Sequence, residues 1–291
     1  MKIILLTTSL IIAFALLFAC SNDLESDTKM GRLTVQLTDA PFPYEMISEA
    51  NVTIFKIDAR LKESSMEDKQ DTEDTEGGSS FVVLSEEERE VNLIKLTNGI
   101  TETLVDIDVP EGSYDLIRIY VKGVNVVLTN GNTFNLKVPS GEQTGIKVFI
   151  KPSLFVGGEL SSDLLLDFDV SRSFIPKGNM KNIAGITGFN FKPVIKACNL
   201  TTAGTLSGLV STTQNEEPIG LEGATVSVFA ADTLNTSTFT DESGNYTIMG
   251  LIAGSYDVMV ELEGYESQTT EEVTIVAGNK IIQDFDLVPV P

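Results

Sequence analysis

Short runs of alternating apolar and polar residues, parted by Gly, Pro and Asn turns, recur along this chain, and no long window shows a helical period. That pattern predicts an all-β protein of two antiparallel β-sandwich domains in tandem. The composition marks two parts. Between Leu206 and Pro291 stand 14 acids and a single base, Lys280, a net of −13, unlike the stretch before it.

The chain opens on a leader. Lys2 is the only charge before Cys20, and Ile3 to Phe18 is almost wholly apolar, the basic and apolar regions of an export signal. The run is shorter than the roughly 20 residues a transmembrane helix needs, and the acidic, polar stretch Ser21 to Lys29 follows at once. The placing of Leu17, Ala19 and Cys20 resembles the lipobox of bacterial lipoproteins, whose cysteine is acylated and becomes the new N-terminus. The resemblance implies a signal peptide over 1–19, lipid on Cys20 and a flexible stalk over 20–30. It also implies the membrane as a partner and a lipid-anchored place in the cell envelope, at the outer membrane on its periplasmic or surface face.

Composition excludes several classes. A formal charge of −22 argues against nucleic acid as partner, because phosphate contacts need clustered Lys and Arg. Histidine is absent, which removes Ser-His and Cys-His catalysis and His-ligated zinc. With Cys20 acylated, Cys198 has no partner for an intrachain disulfide.

The first domain is expected over 31–197. Leu33, Val35 and Leu37 alternate with Thr34, Gln36 and Thr38, and Val52 to Ile57 makes a second apolar run. Between Lys62 and Ser80 seven acids meet two lysines and almost nothing apolar, which predicts a disordered acidic loop over 62–80. Strand patterns resume at Phe81 to Leu84, Val91 to Leu96 and Leu104 to Val109, and Pro110-Glu111-Gly112 turns the chain into Ser113 to Val121. Asn130-Gly131 predicts a hairpin between Val124 to Leu128 and Phe134 to Val138. Gly145 to Ile150, Leu164 to Val170 and Phe189 to Ala197 complete this domain.

Leu37-Thr38-Asp39-Ala40-Pro41, Val91-Asn92-Leu93, Pro110-Glu111-Gly112-Ser113-Tyr114, Val138-Pro139-Ser140-Gly141, Leu166-Asp167-Phe168-Asp169 with Arg172-Ser173, and Lys192-Pro193-Val194-Ile195 stand in order here. Together they resemble domain of unknown function 4382, a family of bacterial lipoproteins with no settled biochemical role.

Two places in this domain could carry chemistry. Asp39 precedes a proline-stiffened loop able to present Phe42 and Tyr44 to a sugar ring or a partner; alternatively, Asp39 caps a turn and the aromatics close the sandwich end. Asp167 and Asp169 lie two apart on a strand, so both face one side while Leu166 and Phe168 face the other. Such a pair repels unless a cation or an arginine lies between, which makes calcium a candidate; pairing with Arg172 or Arg118, or simple exposure, is the competing reading.

A polar linker over 198–205 leads to a second domain over 206–289 with seven short strand patterns. Leu206-Ser207-Gly208-Leu209-Val210, Gly223-Ala224-Thr225-Val226, Thr240-Asp241-Glu242-Ser243-Gly244-Asn245-Tyr246, Leu251 to Tyr256 and Glu263-Gly264-Tyr265 resemble the carboxypeptidase regulatory-like domain, a transthyretin-like sandwich that usually serves as an accessory module. Gly112-Ser113-Tyr114-Asp115 and Gly254-Ser255-Tyr256-Asp257 share one tetrapeptide, which predicts one turn-then-strand device in both domains.

The function expected from these readings is that of a non-catalytic binding or scaffold protein of the envelope, contacting a glycan or another envelope protein, with no resident cofactor. An assembly subunit of a surface complex is the alternative. A glycosidase using Asp39, Asp167 and Asp169 is a third reading.

Overall fold

The computed structural model describes residues 29–40, 46–62, 80–138, 142–158, 161–214 and 216–290. The expected signal peptide, Cys20, nearly all of the stalk, Phe42, Tyr44 and residues 63–79 of the acidic loop lie outside the described residues. Among the described residues no helix is long and apolar enough to cross a membrane.

The protein is all-β, with two sandwiches along the chain, each with its own apolar core. In the first, one sheet has the order β12 (Ile195–Asn199), β9 (Ser162–Asp169), β1 (Met30–Ala40), β5 (Glu102–Pro110). The facing sheet is built on the long antiparallel pair β2 (Ile47–Lys62) and β6 (Gly112–Leu128). β3 (Ser80–Ser85) and β4 (Arg89–Asn92) join β2, while β7 (Thr133–Asn135) and β8 (Ile146–Val156) join β6. The alternation in β1 is realised: Leu33, Val35 and Leu37 are buried in the core, between more open neighbours. A hairpin of β10 (Phe174–Gly178) and β11 (Ile186–Phe191) brings the Phe174 and Phe191 rings to 5.1 Å, with Phe168 stacked on Phe191.

The Asn130-Gly131 turn forms as expected, with Val126 opposite Phe134 and Gly131 at φ +86°, where glycine has no steric cost. Three details differ from the sequence reading. Residues 93–96 form a 3-10 turn rather than the end of a strand, with Leu93 and Leu96 buried; apolar residues three apart serve such a turn as well as a strand. Ser113 to Leu128 is one strand, bent by register shifts. The expected linker 198–205 is mostly strand: β12 runs through Asn199 and β13 (Ala203–Gln214) begins at once, because the Leu200 N–H donates to the Asp163 carbonyl and Gly278 N–H to that of Ala203.

The second sandwich pairs a sheet of β14 (Glu217–Gly220), β13 and β17 (Asn245–Ile252), joined on β13 by β20 (Lys280–Ile282) and β21 (Phe285–Asp286), with a sheet of β16 (Thr233–Phe239), β15 (Thr225–Ala230), β18 (Gly254–Glu261) and β19 (Gln268–Ile275). Neither sandwich is wholly antiparallel: β1 runs parallel to β9, and β13 parallel to β20 and β21.

The shared tetrapeptide is one device. Each copy sits where the chain leaves one sheet for the other, and each tyrosine hydroxyl donates to the carbonyl four residues back: Tyr114 to Pro110 and Tyr256 to Ile252, both at 2.8 Å. Such a bond pins the corner while the ring fills the core end.

Candidate functional site

The sandwiches meet along the outer face of the β12-β9-β1-β5 sheet. β9 carries Leu164-Leu165-Leu166; Leu164 and Leu166 enter the first core, whereas Leu165, at 0% exposure, belongs to neither core. It lies at the seam against Gly250, whose absent Cβ would stand 3.0 Å from Leu165 Cδ2 and 3.6 Å from Cys198 Cβ. Both faces of β9 are therefore covered.

Two polar clasps cross the seam. Thr38 Oγ1 donates toward the carbonyls of Leu96 and Ile100, at 3.0 and 3.1 Å, fixing the loop between them. That loop presents Asn98, whose Oδ1 accepts from Thr247 N–H at 2.5 Å and whose Nδ2 donates to the Asn245 carbonyl at 3.1 Å. The second clasp is Lys196 on β12. Its Nζ donates to the Asn235 carbonyl at 2.5 Å and approaches Asn235 Oδ1 at 3.4 Å. Asn235 is the extra residue of a bulge in β16, since Val228 pairs with Thr236 and Phe229 with Leu234. A bulge re-aims the residue it leaves unpaired, and here it presents Asn235 to the lysine.

Beside this clasp opens a cleft of about 490 Å³, within the range of small-molecule sites. The first sandwich contributes Lys151, Leu165, Asp167, Arg172, Lys196 and Cys198; the second contributes Thr233, Leu234, Asn235, Thr236, Met249 and Ile252. Leu234 is 50% exposed at its mouth.

Asp167 pairs across the sheet with Lys196 on one side and Thr38 on the other. Burial pushes its carboxyl up to about 6 against the pull of Lys196, with Asp169 adding to the rise. The Asp167 carboxylate accepts no hydrogen bond from the described residues, whereas that of Asp169 is fully engaged: Asp169 ends β9 and accepts from Ser171 Oγ, Arg172 N–H and Arg172 Nε at 2.7, 2.9 and 2.5 Å. The structure thus draws Asp169 to Arg172, while Arg118 pairs with Asp58 instead. Among the described residues no group of three or more acidic, cysteine or histidine side chains is arranged to hold a metal.

Asp39 is 6% exposed. Its Oδ1 accepts from Val170 N–H at 3.1 Å, which ties β1 to the four-residue helix α1 (Val170–Ser173), and its Oδ2 is buried without a partner. Burial raises its pKa well above the ordinary aspartate value against the pull of the Val170 N–H, and the charges of Asp167 and Asp169 raise it further. Burial likewise raises the Cys198 thiol.

Of the sequence candidates, the structure brings Asp167 to the cleft, places Asp169 beside its arginine and Asp39 behind it, and describes neither Phe42 nor Tyr44. Lys151, Lys196 and Asn235 were not singled out by sequence. The signal for the seam was the unbroken Leu164-Leu165-Leu166, since a strand covered on both faces loses its alternation.

Fold and seam define a tandem of two all-β sandwiches that meet at a cleft lined by apolar, polar and charged side chains. The chain belongs to the family described as Domain of unknown function (DUF4382), whose model matches residues 30–193, and a carboxypeptidase regulatory-like domain follows over 205–288. No curated protein matches the chain. Similar solved structures include a conjectured carbohydrate-binding protein from Bacteroides uniformis (19% identity, 30% of this chain and 41% of that one, TM-score 0.26). The minor pilin GBS52 of Streptococcus agalactiae is similar over 89% of this chain and 96% of its own (12% identity, TM-score 0.27). A variant of the shaft pilin SpaA from Lactobacillus rhamnosus GG is similar over 91% and 98% (11% identity, TM-score 0.28). Likeness at these scores carries no argument about ligand or partner.

Proposed function

We propose that the chain is a non-catalytic, lipid-anchored protein of the cell envelope, tethered at the outer membrane through Cys20, that holds a glycan in the cleft between its sandwiches. The observation that carries the binding role is the cleft itself: its walls come from both domains, and polar, charged and apolar side chains share one concave surface of sugar-site size. The leader and lipobox-like residues support the tether. The reading needs no cofactor. Asp169 is already taken up by Ser171 and Arg172, so calcium between Asp167 and Asp169 is no part of it.

A clickable fatty acid should label the wild type and not Cys20→Ala, and protease on intact cells should reveal the exposed face. A photoreactive side chain at Leu234, at the mouth of the cleft, should crosslink an envelope glycan in cells. No fatty-acid label would overturn the tether, and no Leu234 crosslink would overturn the binding role. A second reading, a subunit of a surface assembly, is favoured by Phe149 and Phe155, 54% and 60% exposed on β8. One stoichiometric envelope protein crosslinked through Phe155 would support it.

A further inference from the structure

The charges of the cleft are sorted by domain. Among the described residues, the cations of the cleft, Lys151, Arg172 and Lys196, all belong to the first sandwich, and its one acid is Asp167. The second sandwich has 14 acids over 206–291 yet turns none of them into the cleft; it offers hydroxyls and an amide from Thr233, Asn235 and Thr236, and apolar surface from Leu234 and Met249. In a chain of net charge −22, this is a local cationic wall facing a neutral, hydrogen-bonding one.

From this arrangement, and resting on the binding role proposed above, we infer that the ligand is a sugar acid: a polyhydroxylated ring bearing a carboxylate, its acid group on the first-sandwich wall and its hydroxyls on the second. Each wall has free capacity for its part. Arg172 spends Nε on Asp169 and leaves its terminal amino groups on a side chain 50% exposed. Lys151 is exposed and forms no ion pair among the described residues. The Lys196 ammonium has three donors and is held at the seam by the Asn235 bulge, so it meets a ligand without first being ordered. Asp167, next to Lys196 in the sheet, is an open acceptor for ligand hydroxyls. A simple anion would leave that acceptor and the Thr-Asn wall unused, while a neutral sugar would leave the cations unmatched.

The test is titration of the detergent-solubilised full chain with D-glucuronate and D-glucose, which differ in carrying a carboxylate or a hydroxymethyl at one carbon, with acetate as the bare carboxylate. Glucuronate should bind at least about ten-fold more tightly than either, the scale of one charge-assisted contact. Lys151→Gln and Arg172→Gln should each weaken it by about five- to ten-fold, while Lys280→Gln, in the other sandwich and off the cleft, should leave it unchanged. Glucose or acetate binding as well as glucuronate would overturn the inference, as would indifference to both cleft substitutions. Failure of all three probes alongside a positive Leu234 crosslink would overturn the ligand class and leave the binding role standing; failure of both would remove both.

Discussion

Asn98 hydrogen-bonds to β17 as a neighbouring strand would, its amide accepting from Thr247 N–H and donating to the Asn245 carbonyl. The backbone at Asn98 is left-handed, φ +57°, a conformation Asn tolerates. At the next residue, Gly99, a Cβ would come 2.8 Å from Thr247 Cγ2.

Asn98→Gly removes this clasp without adding backbone strain. It should cost about 1–3 kcal/mol by leaving the Thr247 N–H unpaired, while the Asn245 carbonyl keeps the Asp241 N–H as donor, and it should speed hydrogen exchange at the Thr247 amide. An unchanged exchange rate would show that the clasp does not hold the seam.

The buried ion pair of the first sandwich should be the least tolerant of change. Arg118 Nε and Nη2 bond Asp58 at 2.6 and 2.7 Å, Tyr120 donates to the same carboxylate at 3.1 Å, and the guanidinium lies 3.5 Å from the Phe81 ring centre. Asp58→Ala should destabilise by about 3–5 kcal/mol, since it strands a largely buried cation. Arg118→Lys should not restore stability, because an ammonium neither bridges both oxygens nor stacks. Denaturant melts of the two variants measure both effects.

Tyr114→Phe and Tyr256→Phe each delete one corner bond and keep the ring. Each should cost about 1–2 kcal/mol, and the double variant should show their sum because the corners lie in different cores. A loss confined to Tyr114→Phe would show that the shared tetrapeptide does unequal work.

The pH dependence follows from Asp167. Its carboxyl is raised to about 6 from an ordinary 3.8, so the folded state binds the proton more tightly than the unfolded chain. The resulting stability is full below the unfolded value and is lost as pH rises through about 6. Asp39, raised in the same direction by burial, adds to the trend. Asp167→Asn should therefore raise stability at pH 7.5 by an amount on the order of 2–3 kcal/mol, seen as a higher melting temperature, and flatten the change between pH 7 and 5. A lower melting temperature at pH 7.5 would mean that the attraction of Lys196 outweighs burial.

Sequence alternation was enough to place Leu33, Val35 and Leu37 in one core, to turn Asp167 away from Leu166 and Phe168, and to pair the two Gly-Ser-Tyr-Asp corners. It did not reveal the cleft. Asn98 reads as a turn residue and Lys196 as a strand charge, and their partners, Thr247 and Asn235, lie more than 35 residues away with no periodicity to link them. The bulge that presents Asn235 is invisible in composition, because it is a mismatch between two strands rather than a property of either. The engaged state of Asp169 was half legible: Arg172 stands three residues on, but which of two arginines it meets depends on where Asp58 lies.

Each sandwich places its opening strand between a strand made soon after it or far on and one made near the domain's close. β1 is flanked by β5 and by β9, with Leu33 beside Ser162, and β9 in turn needs β12; β13 waits for β20 and β21. A nascent chain therefore cannot complete its first sheet until about residue 199 has been synthesised, nor the second until the strand at Phe285–Asp286. Contacts this distant in sequence form slowly. The polypeptide stays open for most of its synthesis, and loss of the strand at Phe285–Asp286 would leave the second sandwich unclosed.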